Sequence, residues 1–123
     1  MRKLRVVYLD VENGKFAEER VIEDRIEMFY ELIHCDTIDI VKRVVGGVKV
    51  CIICDDEGYF KPNPKVGAHT LFNVSPPLVG NLIFAGTEDN EGNLTDLTDN
   101  EIERIKYACL QKVGGGFAVV LEY

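Results

Sequence analysis

The stretch IDIVKRVVGGVKVCIIC, residues 38–54, decides the reading of the fold. Two runs rich in β-branched residues flank Gly46-Gly47. A two-residue connection between strands demands positive φ, which glycine adopts without strain. The stretch therefore predicts a tight hairpin in which Val45 faces Val48 and Val41 faces Ile52. Apolar residues fall on both of its faces, so the hairpin is expected inside a larger sheet, at its centre.

Working outward, Asp55-Asp56-Glu57-Gly58 reads as the turn that closes the hairpin. Upstream, residues 3–11 read as a strand, Asn13-Gly14 as a turn, and residues 20–22 as a short second strand. A helix is expected from Asp24, with Glu27 at capping-box spacing. Its stripe is Ile26, Phe29, Tyr30 and Ile33, and it ends at His34-Cys35. Downstream, Pro62, Pro64, Pro76 and Pro77 all fall within residues 61–77 and predict mostly loop, because proline cannot donate to a ladder. Residues 78–85 read as a strand broken at Gly80, and residues 87–93 as a polar turn. Thr98 with Glu101 is a capping box that opens a second helix. Ile102, Ile105, Cys109 and Val113 form its stripe, Gly114-Gly115-Gly116 ends it, and residues 117–121 read as a final strand. The expected architecture is one α+β domain over residues 1–123: a mixed, mainly antiparallel sheet of about five strands with two helices packed on one face.

Charge narrows the function classes. The 123-residue chain carries 14 Lys and Arg against 21 Asp and Glu, a formal net charge of -7. A protein that tracks a phosphate backbone needs a basic surface, so direct nucleic-acid binding is not expected. Acid is concentrated locally: Glu88, Asp89, Glu91, Asp96, Asp99, Glu101 and Glu103 share a segment without Lys or Arg. That pattern reads as a solvated turn followed by an acidic first helical turn. Its alternative is a docking face made of Glu88, Asp89, Glu91 and Asp96 for a basic partner. No apolar run approaches a membrane span and no leader-like segment opens the chain, so a cytoplasmic protein with reduced cysteines is expected.

The tempting catalytic motifs sit on the wrong elements. Cys51-Ile52-Ile53-Cys54 matches CxxC, but in a strand residues three apart point to opposite faces. His34, Cys35 and Asp36 are sequence neighbours at a helix end, and such neighbours do not face one another. Asp89 to Asn93 lacks the glycine spacing of an EF-hand loop. Neither glycine cluster leads from a strand into a helix, as a phosphate loop does. No catalytic residue, metal site or cofactor is therefore expected. The stiff loop remains, with Lys61, Asn63, Lys65 and His69, and Asn81 just beyond. These polar groups are the candidate contacts for a small anionic ligand or a protein partner.

The order of motifs resembles one small domain family. It runs from Phe29-Tyr30-Glu31-Leu32-Ile33 through Cys35-Asp36, Ile38-Asp39-Ile40-Val41, Gly46-Gly47, Cys54-Asp55-Asp56-Glu57-Gly58 and Lys61-Pro62-Asn63-Pro64. It closes with Leu78-Val79-Gly80-Asn81-Leu82, Gly92-Asn93 and Leu97-Thr98-Asp99. This series is similar to the DUF3846 family, a domain of unknown function found in Firmicutes, their phages and plasmids. The resemblance spans residues 3–112; the tail from Gly114 departs from it. It implies a mobile-element origin but supplies no site residues. The expectation is a non-enzymatic binding protein that modulates a host defence system by engaging a host protein effector or a nucleotide signal. The alternatives are a small-molecule enzyme using residues 61–81, and a homo-oligomeric assembly module joined through an edge strand at residues 117–123.

Overall fold

The structure, a computed structural model, describes residues 2–62, 64–70, 77–109, 112–113, 116–117 and 119–121. In chain order the elements begin with β1 (Lys3–Leu9), β2 (Glu18–Glu23), α1 (Ile26–Ile33), β3 (Ile38–Val45) and β4 (Val48–Asp55). A 3-10 turn (Gly58–Phe60) leads to β5 (Val66–Thr70), β6 (Leu78–Val79) and β7 (Leu82–Ala85). Then come α2 (Asp99–Ala108), β8 (Lys112–Val113), β9 (Gly116–Phe117) and β10 (Val119–Leu121).

The hairpin has the register its sequence predicts, with Val45 opposite Val48 and Val41 opposite Ile52. Gly46 and Gly47 take φ of 58° and 76°. A Cβ on Gly46 would lie 2.8 Å from the Arg104 carbonyl oxygen, so the turn also docks close against α2. The position of the hairpin differs from expectation. The main sheet is antiparallel in the order β2-β1-β7-β4-β3, which puts β7 in the middle and the hairpin at one side. Leu82, Ile83, Phe84 and Ala85 are all fully buried, as a central strand requires. In β3 only Val45 is buried, and Asp39, Lys42 and Arg43 are the kind of residues that protect an edge.

The α+β class holds, but the helices do not share a face. Val7, Leu9, Ile52 and Phe84 pack with Ile102 and Ile105 of α2. Their alternates Tyr8, Cys51, Ile53 and Ile83 pack with Phe29 and Ile33 of α1. Because side chains alternate along a strand, the helices cover opposite faces of the sheet. Both faces of β1, β4 and β7 are apolar, and one layer of helices would leave one of them in water.

Several local expectations need correction. Arg25, not Asp24, precedes α1, and no side chain caps that terminus; Asp24 instead pairs with Arg2 at 3.4 Å. The capping box of Thr98 and Glu101 is present, but α2 ends at Ala108 and Val113 lies in β8. Within the proline-bounded stretch, the proline-free residues Val66–Thr70 form a strand rather than loop. Strand β5 pairs with β6 antiparallel and with β10 in parallel, which gives the fold its mixed character. Gly114 and Gly115 lie outside the described residues.

Candidate functional site

One end of the main sheet gathers most of the interior polar chemistry. There β1 finishes, β7 begins and β4 finishes, since Leu9 pairs with Leu82 and Ile53 with Ile83. The C-terminus of α1 reaches the same end, where His34 takes φ 62° and its N–H donates to the Tyr30 carbonyl at 2.9 Å. That left-handed residue turns the chain away, so that His34, Cys35, Asp36 and Thr37 all line one cleft.

Asn81 ties these parts together. It is fully buried. Its Oδ1 accepts from the Glu12 backbone N–H at 3.1 Å. Its Nδ2 donates to the Tyr8 hydroxyl at 3.1 Å and to the Leu32 carbonyl at 3.3 Å. The Tyr8 hydroxyl donates to the same carbonyl at 2.6 Å. One amide therefore joins the start of β7, the segment after β1 and the last turn of α1. Burial, then the charge of Asp10, raises the Tyr8 pKa, which keeps the hydroxyl protonated as a donor. Asp10 accepts from the Asn13 backbone N–H at 3.1 Å and from Asn13 Nδ2 at 2.8 Å. Burial opposes its ionised form, but these hydrogen bonds hold its carboxyl below the usual range.

The second fastening is Lys61. Its Nζ lies 2.6 Å from Asp55 Oδ2, whose side chain is only 4% exposed, and it also donates to the His34 carbonyl. A cation on the last carbonyls of a helix favours that terminus. Burial works against the Lys61 ammonium, yet its hydrogen bond to Asp55 raises the pKa above the ordinary lysine value. Glu12 links the two fastenings: its Oε2 is 2.7 Å from His34 Nδ1, and its carbonyl accepts from Lys65 Nζ at 3.2 Å.

The cleft has a volume of about 280 Å³, and Asp55, Glu57 and Lys61 complete its lining. Three carboxylates, Asp36, Asp55 and Glu57, stand against one ammonium that is already paired. The Cys35 thiol is pushed up to about 11, first by burial and then by the charge of Asp55, so it is protonated at neutral pH. Among the described residues no group of three or more His, Cys, Asp or Glu is placed to hold a metal ion.

The residues singled out from sequence are distributed unevenly. Lys61 lines the cleft. Lys65 reaches the same corner through Glu12, and Asn81 lies beneath it with its amide wholly engaged. His69 is in β5 opposite Val120, and Asn63 lies outside the described residues. The cleft is also lined by Cys35, Asp36, Asp55 and Glu57, which the sequence reading does not name as binding candidates. The adjacent His34-Cys35-Asp36 is the sequence signal for this lining: neighbours within a helix do not face one another, but the break in the helix at His34 brings these three to one cavity. The CxxC pair is separated as its strand placement requires: Cys51 belongs to the α1-side core and Cys54 to the α2-side core, with its thiol pushed up by burial to about 12.

The acidic segment follows the far end of β7, so it stands at the opposite end of the sheet from the cleft. Glu88, Asp89, Glu91 and Asp96 are exposed. Asp89 Oδ1 accepts from the Glu91 and Asn93 N–H groups at 2.9 and 3.0 Å, and Asp96 Oδ1 accepts from the Arg5 N–H at 2.8 Å. Both carboxylates thus shape local backbone. Among the described residues no helix is long and apolar enough to cross a membrane.

The chain matches the family described as "Domain of unknown function (DUF3846)" over residues 4–110, and it belongs to that family. No curated protein and no solved structure matches it.

Proposed function

We propose that this DUF3846 member is a binding protein, not an enzyme, and that its cleft at the end of α1 receives a cationic group of its partner. The observation that carries this reading is the lining: Asp36 and Glu57 stand beside a Lys61–Asp55 pair whose charges cancel, which leaves the cleft net negative. A nucleotide or other anion would have to approach carboxylates, which disfavours the small-anion version of the expected function. A host protein effector, approached through a basic side chain, remains compatible with a mobile-element origin. The enzyme alternative would use Lys61, His69 or Asn81; Lys61 is paired with Asp55, and Asn81 is bonded to backbone and to Tyr8.

The test is a titration of the isotopically labelled chain, at low salt, with arginine amide and separately with inorganic phosphate. Arginine amide should shift the amide resonances of residues 34–37 and 55–57, and phosphate should not. Shifts from phosphate with silence from arginine amide would overturn the reading.

A further inference from the structure

We infer that the partner presents a basic side chain next to an apolar one, and that Phe60 is the anchor for the apolar member. This inference rests on the cationic reading of the cleft and adds the chemistry of its neighbour. Phe60 is 86% exposed, the highest value among the large exposed apolar side chains of the described residues. Phenylalanine is among the aromatic residue types that interface cores concentrate.

The turn that carries Phe60 is fixed from several sides. The Phe60 N–H donates to the Glu57 carbonyl at 3.0 Å, and the Lys61 N–H to the Gly58 carbonyl at 3.3 Å. Gly58 is buried against Val79, where a Cβ would lie 3.1 Å from the Val79 carbonyl oxygen. The Tyr59 hydroxyl donates to the Pro77 carbonyl, and Lys61 is held by Asp55 and the His34 carbonyl. A ring displayed on a preformed turn loses little conformational freedom when it is covered, so its burial is retained as affinity.

Chain connectivity joins this anchor to the charged cleft. Glu57 immediately precedes the Gly58–Phe60 turn and Lys61 immediately follows it, and both line the cleft. The ring and two of the carboxylates, Asp55 and Glu57, therefore belong to one short segment, residues 55–61. The complementary occupant is a protein segment in which arginine or lysine adjoins an aliphatic or aromatic residue. A nucleic-acid backbone or an anionic membrane surface has the wrong charge for these carboxylates. A bare polyamine matches the carboxylates but brings no apolar side chain to cover the ring.

The experiment uses the full chain and three capped dipeptides: acetyl-Arg-Leu-amide, acetyl-Arg-Gly-amide and acetyl-Glu-Leu-amide. Affinities are read from amide shifts at low salt. Acetyl-Arg-Leu-amide should bind roughly three- to tenfold more tightly than acetyl-Arg-Gly-amide, as expected for an apolar side chain about half covered against one exposed ring. Acetyl-Glu-Leu-amide should not bind. Phe60→Ala should bring the leucine peptide down to the level of the glycine peptide. Since Phe60 is exposed, that variant should keep the wild-type melting temperature. Equal binding of the two arginine peptides to wild type would end the anchor and leave the cationic cleft standing. Failure of both arginine peptides would remove the cleft reading and the anchor with it.

Discussion

Asn81→Leu is predicted to destabilise the protein by about 2–3 kcal/mol. The substitution removes three hydrogen bonds, to the Glu12 N–H, the Tyr8 hydroxyl and the Leu32 carbonyl. At about 1 kcal/mol each this is a loss of about 3 kcal/mol. Tyr8 and the Leu32 carbonyl keep their own bond, so only the Glu12 N–H loses its described partner. The added aliphatic group returns about 1 kcal/mol through burial, and an orphaned N–H subtracts a similar amount. Urea unfolding should show a lower midpoint at unchanged slope. A melting point about 8–12 °C lower should accompany it.

Asn81→Asp gives an independent check. It keeps an acceptor for Glu12 but places a carboxylate at a site with no exposure, facing a hydroxyl and a carbonyl. Burial would raise the folded-state pKa of the new acid above its unfolded value of about 4. Its deficit should therefore be small below that pH and grow as pH rises through the raised value. A loss below about 0.5 kcal/mol for Asn81→Leu would refute the pinning role of this amide. A pH-independent deficit for Asn81→Asp would refute the account of its burial.

Other consequences can be measured directly. Lys61→Met leaves Asp55 buried without its cation and should cost about 1–2 kcal/mol, less than a fully buried pair because the lysine side chain is 41% exposed. Adding Asp55→Asn should recover about half of that in a double-mutant cycle, and strict additivity would deny the pairing. Since the Lys61 pKa is raised, the pair's contribution should be complete below about pH 10.5 and disappear as pH rises through the elevated value. Alkylation of Cys35 by iodoacetamide at pH 8, followed by mass spectrometry, should be roughly a hundredfold slower than for an ordinary thiol. Its rate should climb until a midpoint near the value of about 11 set by burial and by Asp55, and a midpoint near 9 would contradict that. Thr98→Ala removes the capping box of α2 and should cost about 1 kcal/mol in urea unfolding.

Local chemistry was legible in the sequence wherever it is decided by neighbours in the chain. The Gly46-Gly47 register, the Thr98 cap, the turn at Asp89 and the split of Cys51 from Cys54 all follow from spacing of a few residues. Errors arose where a third element decides. The hairpin is lateral because residues 82–85, a run short enough to be read as part of a longer broken strand, fill the centre of the sheet. The helices lie on opposite faces because both sides of β1, β4 and β7 need cover, a demand of the assembled sheet and not of either helix. Asn81 looked like a loop contact for a ligand; its tertiary surroundings make it an interior pin. Asp55 and Glu57 read as turn residues, and only the approach of α1 turns them into cleft lining.

The central claim, that the cleft selects positive charge, is tested most directly by the affinity of arginine amide for wild type and for Glu57→Lys at low salt. Glu57 is exposed, so the exchange should fold normally. The account predicts at least about a tenfold loss of affinity in the variant, and steep weakening of wild-type binding with added salt. Equal affinity in the two proteins, unchanged by salt, would contradict it.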